Sequence, residues 1–390
     1  MTRISQYCIN INRILLIAVG LWPYKQSKLT RFQCIFFCVI LSSGIIFQVT
    51  PLITLKCTME LVIKVLSSVS FCLIFLIQYN TCCLKIELVK NLLMQLEHIH
   101  NKLTDKNEIA IVYKYSGIGQ RYTVMFTALA IGGLFIITIS QIWLIAAVDS
   151  SINASESHYV FIMEYFIDQE KYFYLVLLHT YVVICVGVIV IVTTSTMVIT
   201  YVEHTCGMFK IASYRIEHAV HMSIQNTLQN KILMTKGIIC AVDIHRQAMK
   251  MSEHFVALFE KCIFVLTGCS LMCFTLNLFQ LSQTTSFTNN YNKLFLPSMY
   301  AIISVLYMLI ANYIGQSVID HNNDLFVTVY NVQWYKSPLY VQRMILFLLQ
   351  RGTKKFTLNI CGLYDGSIEW FATLMKAAVS YFTLMHSVQS

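Results

Sequence analysis

The most informative shortage in this sequence is charge. Asp, Glu, Lys and Arg together make up 12% of its 390 residues, while 57% are hydrophobic, and the mean hydropathy is +0.63. A soluble globular domain carries about 25% charged residues. A large soluble core is therefore excluded, and the composition predicts an integral membrane protein.

Loop-forming residues and catalytic motifs are scarce as well. The chain has only four prolines and 14 glycines, and it contains no internal repeat, which predicts a single domain over residues 1–390. The patterns G-x-x-x-x-G-K-[ST], H-E-x-x-H and G-x-S-x-G do not occur. These patterns serve phosphate binding, zinc proteolysis and acyl transfer. We therefore expect no catalytic site and no cofactor.

Metal-binding and nucleic-acid-binding patterns are also missing. None of the 14 cysteines forms a C-x-x-C pair, and most lie in apolar runs, which favours small buried hydrophobic residues. His204, His218 and His221 lack a Cys or carboxylate at metal-ligand spacing, so we expect exposed helix histidines rather than a metal site. The net charge of +9 comes from basic residues between apolar segments, which argues against nucleic-acid binding.

Long apolar segments dominate what is present. A bilayer core about 30 Å thick needs about 20 helical residues, and seven segments meet that length. They predict an all-α protein with seven transmembrane helices, at Phe32–Ile53, Leu61–Leu84, Tyr122–Val148, Tyr172–Thr200, Cys262–Leu281, Leu294–Val318 and Gly366–Val388.

The distribution of Lys and Arg predicts the orientation. The N-terminal arm and the connections Lys85–Arg121, Tyr201–His254 and Ile319–Tyr364 carry 22 basic residues, against three in the other connections. Because basic loops stay in the cytosol, we expect a cytosolic N-terminus and an extracellular C-terminus. The arm precedes no small-residue cleavage site, so we expect no cleaved signal peptide.

The loop Asp149–Lys171 supports this orientation. It is acidic and contains the sequon Asn153-Ala154-Ser155, an acceptor for N-glycosylation on an extracellular surface. We therefore predict that Asn153 is glycosylated.

The basic connections themselves show helical periodicity. Apolar residues at helical spacing continue the second segment over Lys85–Leu103 and predict two helices within Tyr201–His254. A short cytosolic helix is predicted over 337–352, because Pro338 suits a first helical turn and Gly352 an end. Together these helices predict a helical region on the cytosolic side.

The last segment carries a polar stripe. Its polar side chains are three or four residues apart and therefore share one helical face, while the opposite face is apolar. A membrane helix with such a stripe packs it against protein or faces water, which predicts a pore wall. The stripe consists of Glu369, Thr373, Lys376, Ser380, Thr383 and Ser387.

The outer halves of the second to sixth segments are aromatic and mildly polar. Helix packing or an interfacial aromatic belt explains many such residues, but together they also suit an apolar ligand pocket with a few polar groups. The candidate pocket residues are Ser68, Phe71, Ile139, Trp143, Tyr174, Leu178, His179, Phe279, Met299, Tyr300 and Ile303.

Three stretches carry a resemblance to a known family. Residues 12–23 begin with Asn-Arg-Ile-Leu and end with Gly-Leu-Trp-Pro; Tyr330 to Trp334-Tyr335 precedes the short helix; and residues 376–384 read Lys-Ala-Ala-Val-Ser-Tyr-Phe-Thr-Leu. With these stretches the chain resembles insect odorant receptors over essentially its whole length. The first stretch is similar to the odorant-specific tuning subunits of ants, bees and wasps.

The resemblance implies a function and partners. Members are odorant-gated, non-selective cation channels that form heterotetramers with a co-receptor subunit in the plasma membrane of olfactory sensory neuron dendrites. A volatile odorant binds among the outer halves of helices two to six, the last helix lines the pore, and the cytosolic helix extensions form an anchor region. The resemblance implies pore and gate residues at Ser380, Thr383, Leu384, Ser387 and Val388, with Leu384 and Val388 at the gate.

Three alternatives remain at this point. A gustatory-receptor-like channel shares the mechanism, although the terminal pattern of that family has a glutamine where this chain has Ser387. A G-protein-coupled receptor requires the opposite orientation. A secondary transporter requires repeats and broken mid-membrane helices, which the sequence lacks.

Overall fold

The protein is almost entirely helical in the part of the chain that the structure describes. The computed structural model describes residues 10–24, 26–54, 57–149, 164–165, 171–221, 228–287 and 291–389. The helices are α1 (Asn10–Ala18), α2 (Lys28–Val49), α3 (Pro51–Thr54), α4 (Met59–Leu84), α5 (Ile86–Asn101), α6 (Lys106–Asp149), α7 (Phe173–His221), α8 (Leu228–Phe287), α9 (Tyr291–Asn331), α10 (Leu339–Gly352) and α11 (Ile368–Gln389).

Six of the described helical stretches are long and apolar enough to cross a membrane. They are Lys28–Thr54, Met59–Leu84, Lys106–Ile142, Phe173–His221, Lys231–Gln283 and Leu294–Asn331. The last helix, α11, has 22 residues but does not belong to this set, because the polar side chains of its stripe lower its hydropathy. Six predicted segments thus lie in helices that are long and apolar enough to cross a membrane, and the seventh forms the expected helix.

Local sequence fixes where two of the first membrane helices begin. Ser27 precedes α2, and its side chain accepts a hydrogen bond from the backbone N–H of Thr30 at 3.3 Å. Thr58 caps α4 in the same way by accepting from the N–H of Leu61. Such N-caps satisfy amide groups that have no partner within the helix.

The long helices extend beyond any bilayer. The α7 helix has 49 residues and α8 has 60, whereas a span needs about 20. Their continuations pack with those of α6 and α9 and with α10 into an anchor layer, which we define as residues 86–121, 201–221, 228–254 and 319–358. The prediction of two helices within Tyr201–His254 is confirmed, since α7 ends at His221 and α8 begins at Leu228.

The predicted continuation of the second helix differs in one detail. Lys85 interrupts it with φ −104° and ψ 17°, so that α5 is a separate helix. The Lys85 ammonium donates a hydrogen bond to the carbonyl of Leu258 on α8. This contact gives the charged group a partner beside the apolar layer and explains why the chain bends at this residue.

The anchor layer holds the largest buried cluster among the described residues. Phe209, Met208 and Ile211 of α7 are fully buried there, as are residues of α8, α9 and α10. A buried ion pair joins α6 to α7, because Arg215 Nε and Nη2 donate to the two Glu108 oxygens at 2.6 and 2.9 Å. The hydrogen bonds to Glu108 raise the pKa of Arg215 and keep it charged.

The first helix was not predicted from the sequence, which indicated only a basic arm. Asn12 of α1 donates to Thr200 Oγ1 at 2.5 Å and accepts from Thr123 Oγ1 at 3.1 Å. Tyr79 OH also donates to the carbonyl of Val19 at 2.8 Å. These bonds attach α1 and the turn that follows it to α4, α6 and α7.

A short antiparallel hairpin connects α10 to α11. Its strands are β1 (Asn359–Ile360) and β2 (Tyr364–Asp365), with Asn359 paired to Asp365 and Ile360 to Tyr364. The turn between them needs left-handed backbone at Cys361 (φ 52°) and Gly362 (φ 71°), a conformation that glycine adopts without strain. The hairpin sets the position from which α11 begins.

Candidate functional site: a buried tyrosine cluster and an exposed polar helix

Tyr300 is the centre of a buried cluster between α4 and α9. Its hydroxyl lies 3.4 Å from Ser68 Oγ, and its ring centroid lies 4.6 Å from that of Phe71. Tyr300 is 5% exposed, and Phe71 continues the aromatic contact to Phe75 at 5.0 Å. A phenol hydroxyl surrounded by aromatic rings is typical of an apolar ligand site that offers a single hydrogen-bonding group.

A second polar group lies one position along α4. Ser67 Oγ donates to Asn277 Oδ1 on α8 at 3.3 Å, and Asn277 Nδ2 donates to the carbonyl of Cys273 at 2.6 Å. Asn277 is fully buried. A buried amide inside a membrane helix is costly unless it is bonded, and such residues often mark functional sites.

The structure brings together only part of the predicted pocket. Ser68, Phe71 and Tyr300 are in contact, while Phe279 is buried on α8 and Met299 and Ile303 are half-buried on α9. In contrast, Ile139, Tyr174 and Leu178 are exposed by 63%, 79% and 60%, so they face away from the helix bundle. Periodicity identifies a face but not its partner, and the described residues leave these three side chains uncovered. The side chain of Trp143 and the sequon at Asn153 lie outside the described residues.

His179 lies in a different cluster from Tyr300. Its Nε2 is 3.0 Å from Ser43 Oγ, and its Nδ1 is 2.7 Å from Tyr165 OH. The Tyr165 ring stacks on Phe47 at 4.3 Å. This cluster joins α2 and the first turns of α7 to Tyr165. His179 therefore contacts the segment between α6 and α7.

The prediction missed Asn277, although a signal was present. An asparagine in the middle of an apolar run is rare enough in membrane helices to indicate a role. No sequence pattern shows that Asn277 and Ser67, which are 210 positions apart, form a hydrogen bond.

The polar stripe of α11 faces away from its own chain. Leu374 and Ala378 are the buried residues on the opposite face, with 5% and 0% exposure. Every member of the stripe is exposed, namely Glu369, Thr373, Lys376, Ser380, Thr383 and Ser387. The helix is therefore anchored by its apolar face, as the periodicity predicted, and presents its polar face outward.

The predicted gate residues lie beside this stripe. Leu384 is 60% exposed and Tyr381, one turn earlier, is 57% exposed. Val388 belongs to α11, but its side chain lies outside the described residues. The described end of α11 thus offers both polar and apolar side chains to whatever surrounds it.

The anchor layer contains two buried histidines and a carboxyl group with shifted pKa values. His100 and His204 have ring centroids 5.0 Å apart. Burial lowers the pKa of His100 to about 4, and burial together with His100 lowers the pKa of His204 to about 3. Burial raises the pKa of the nearby Glu203 to about 7. The imidazoles are therefore neutral, because the charged form loses more solvation energy.

The expectation of exposed histidines is wrong for His204, which is 5% exposed; His218 and His221 are exposed. His204 is buried because α5 packs His100 against it. Within the described residues, no group of three or more His, Cys, Asp or Glu side chains is placed to hold a metal ion.

Comparison with known proteins identifies the family. The sequence profile described as "7tm Odorant receptor" matches residues 58–379, which is most of the chain and includes the Tyr300 cluster and the first half of α11. The chain belongs to this odorant receptor family. It is thus a multi-pass membrane receptor, as the apolar segments predicted. No curated protein matches the sequence of this receptor.

Solved structures with the same fold are also found. The insect olfactory receptor OR5 from Machilis hrabei in complex with eugenol has a TM-score of 0.76 and 12% identity, covering 99% of this chain and 98% of that one. The structure of that receptor described without eugenol gives a TM-score of 0.75 at 12% identity, covering 98% of each chain. At this identity the likeness establishes the fold, and the prediction of an all-α seven-helix receptor is confirmed.

Proposed function

We propose that this receptor is an odorant-specific subunit of a heteromeric, odorant-gated, non-selective cation channel. The observation that carries the proposal is the exposure of the whole polar stripe of α11 while Leu374 and Ala378 hold the helix to its own chain. Four such stripes arranged around an axis would form a hydrated path. Lipid is a poor environment for Glu369 and Lys376, because an unpaired charge in hydrocarbon is expensive.

The exposed stripe supports an assembly of several chains. We infer a heterotetramer with a co-receptor subunit, in the plasma membrane of olfactory sensory neuron dendrites. The N-terminus and the anchor layer lie in the cytosol, and the C-terminus is extracellular. The 22 basic residues on one side of the predicted spans support this orientation.

Epitope accessibility tests the orientation. A tag before Met1 should be labelled only after permeabilisation, whereas a tag after Ser390 should be labelled on intact cells. Labelling of the N-terminal tag on intact cells would contradict the channel proposal and favour the G-protein-coupled alternative.

The ligand site that we propose is the Tyr300 cluster. Ser68 and Tyr300 supply hydrogen-bonding hydroxyls, Phe71 supplies an aromatic wall, and Asn277 lies on the adjacent helix α8. Phe279, Met299 and Ile303 extend the apolar lining. Because Tyr300 is almost fully buried, a ligand must displace side chains to enter.

The size of the ligand limits its affinity. Burying about 250 Å² of a small volatile molecule at about 25 cal/mol/Å² contributes about 6 kcal/mol. The cost of association and of opening the packed cluster reduces this value. We therefore expect micromolar or weaker binding and selectivity for molecules with one hydrogen-bonding group beside an apolar body.

Channel opening needs only a difference in affinity. An odorant that binds the open conformation more tightly by a few kcal/mol shifts the population toward it. The ligand cluster uses α8 and α9, and these helices also pack against α11. A change in their positions can therefore reach the pore helix.

Current recording on cells that express this receptor with a co-receptor tests the function. A panel of volatile molecules should evoke cation current that depends on both chains. Tyr300→Phe should raise the half-maximal concentration of hydroxyl- or carbonyl-bearing agonists about tenfold, as expected when one hydrogen bond is lost in a buried site. Tyr174→Phe is the matched control, because that ring is 79% exposed.

Two results would contradict this proposal. Absence of odorant-evoked current despite surface delivery would count against the channel function. Equal, small effects of Tyr300→Phe and Tyr174→Phe would leave the function in place but reject the ligand site.

A further inference from the structure

The start of the pore helix touches α9 backbone to backbone. Gly315 lies within α9, and Gly366 lies two residues before α11. A Cβ atom added to Gly315 would be 2.3 Å from the carbonyl oxygen of Gly366 and 2.9 Å from its carbonyl carbon. Both distances are far inside van der Waals contact, so only glycine fits at position 315.

The requirement for glycine is one-sided. A Cβ atom added to Gly366 would meet Ile360 Cδ1 at 3.6 Å and the Leu358 carbonyl oxygen at 3.9 Å. These are ordinary packing distances. Alanine therefore fits at Gly366 but not at Gly315, although the two residues belong to the same contact.

Three further contacts hold the same turn. The backbone N–H of Ile368 donates to Gln316 Oε1 on α9 at 3.4 Å. Tyr364 stacks on Trp370 with centroids 4.5 Å apart and planes 9° apart. The Tyr364 hydroxyl also lies 3.2 Å from Thr267 Oγ1 on α8. Both α8 and α9 thus contact the first turn of α11 or the hairpin before it.

The same two helices carry the ligand cluster. Tyr300 lies 15 residues before Gly315 on α9, which is about 22 Å along a helix at 1.5 Å per residue. Asn277 lies ten residues after Thr267 on α8, about 15 Å away. A backbone contact has no rotamers that could absorb a displacement, and packed protein transmits small shifts as rigid-body movement.

We propose that the Gly315–Gly366 contact, with Gln316 and Tyr364 beside it, is the joint through which α8 and α9 position the pore helix. Gly315 is a positioning residue in this joint, because it allows the two backbones to meet. The inference rests on the proposed channel function and assigns the transmission step to named atoms.

A set of three glycine variants tests the joint. Gly315→Ala inserts a methyl group into the contact. Gly366→Ala changes the opposite side, where there is room, and Gly268→Ala changes α8 next to Thr267, where no atom lies within 4 Å of the added Cβ. Each variant is expressed with the co-receptor, and current is normalised to receptor at the cell surface.

The expected result separates opening from binding. Gly315→Ala should lower the maximal odorant-evoked current about tenfold, which corresponds to ~1.4 kcal/mol of coupling. The rise in unfolding temperature that odorant produces in purified receptor should persist, because the ligand cluster is unchanged. Gly366→Ala and Gly268→Ala should keep the maximal current within about twofold. A Gly315→Ala receptor with normal maximal current would overturn the proposal.

A second variant keeps the test decisive if Gly315→Ala does not fold. Gln316→Ala removes an exposed acceptor and leaves the backbone contact intact. In hydrogen exchange of the purified receptor, amides in residues 366–371 should exchange at least about threefold faster than in the parent, while amides in 374–385 stay unchanged. Unchanged exchange in 366–371 would overturn the joint.

The two proposals fail in different ways. A parent receptor that gives no odorant-evoked current refutes the channel function, whereas the exchange experiment still reports on the joint. A parent receptor that conducts, combined with normal current in Gly315→Ala, refutes the joint alone.

Discussion

The anchor layer and the pore helix differ in which of their side chains are buried within the chain. In the anchor layer Phe209, Met208 and Ile211 are fully buried within the chain, and the charged Glu108 and Arg215 are paired. Among the described side chains of α11, Leu374 and Ala378 are buried, while Leu384 and the whole polar stripe are exposed. The anchor layer thus has a core within its own chain, whereas the polar stripe faces away from its chain.

This difference indicates where stability and function are located. Side chains with partners inside the chain determine whether the receptor folds. Side chains that are exposed on the chain are available to lipid, water or other subunits. Substitutions in the two regions should therefore affect different measurements, and the predictions below use matched pairs to separate them.

The largest effect is expected in the buried ion pair. Glu108→Ala leaves Arg215 charged without its partner, which costs about 3–5 kcal/mol for a buried pair. Glu60→Ala is the matched control, because the Glu60 side chain is 77% exposed in its pair with Lys64 and such pairs contribute about 0–1 kcal/mol. Thermal unfolding of the purified receptor measures both. Equal losses would show that the anchor layer does not hold the fold together.

The next prediction compares two leucines on α11. Leu374→Ala should destabilise the isolated receptor by about 2–5 kcal/mol, because it leaves a cavity at a buried position. Leu384→Ala should hardly change that stability, since Leu384 is 60% exposed. With the co-receptor present, however, Leu384→Ala should increase current without odorant if this residue is at the gate. Loss of stability in Leu384→Ala alone would reverse the assignment of faces.

A smaller effect is expected from the buried histidines. Their pKa values of about 4 for His100 and about 3 for His204 lie below the ordinary 6.5. At a pH between the folded and the unfolded pKa, the unfolded chain binds more protons than the folded chain. The free energy of unfolding is therefore highest above about pH 6.5 and falls as the pH decreases. The loss is about 2 kcal/mol per imidazole at pH 5.

The comparison of variants isolates this effect. Glu203, with its pKa raised to about 7, acts in the opposite direction, because its contribution is lost as the pH rises. His204→Phe keeps a ring in place and should reduce the drop in unfolding temperature between pH 7.5 and pH 5. An unchanged drop would show that His204 does not titrate on unfolding.

The smallest effect on stability is expected within the stripe. Thr383→Val conserves shape at an exposed position and should change stability by less than about 0.5 kcal/mol. In the assembled channel it should shift the sodium-to-potassium permeability ratio, measured from reversal potentials, because a hydroxyl is removed from the proposed pore wall. A change in stability without a change in permeability would place Thr383 in a subunit contact away from the pore.

Periodicity predicted much of the fold because it records which faces are apolar. It found apolar segments that overlap α2, α4 and α6 to α9, and it identified both faces of α11. It could not reveal α1, because the bonds of Asn12 to Thr123 and Thr200 connect residues more than 100 positions apart. The hairpin before α11 was missed for a similar reason, since two-residue strands leave almost no pattern.

The sequence predicted which kinds of residue form the candidate ligand site but not which individual residues are in contact. Aromatic and hydroxyl residues in outer halves correctly indicated Ser68, Phe71 and Tyr300 as neighbours. The same rule included Tyr174 and Leu178, which are exposed, because a membrane helix can be apolar on every side. Which apolar face meets another helix is decided by tertiary packing, not by composition.

Thiol accessibility along α11 shows directly whether the polar stripe faces a water-filled pore. Cysteines are introduced one at a time at 373, 376, 380 and 383 on the stripe and at 374 and 378 on the buried face. A charged, water-soluble thiol reagent is then applied during odorant-evoked current, with the parent receptor as background for the native cysteines. If the stripe lines the pore, the reagent should modify the stripe positions and reduce the current, whereas the cysteines at 374 and 378 should be protected. Modification confined to 374 and 378, with no effect at the stripe, would contradict the pore assignment.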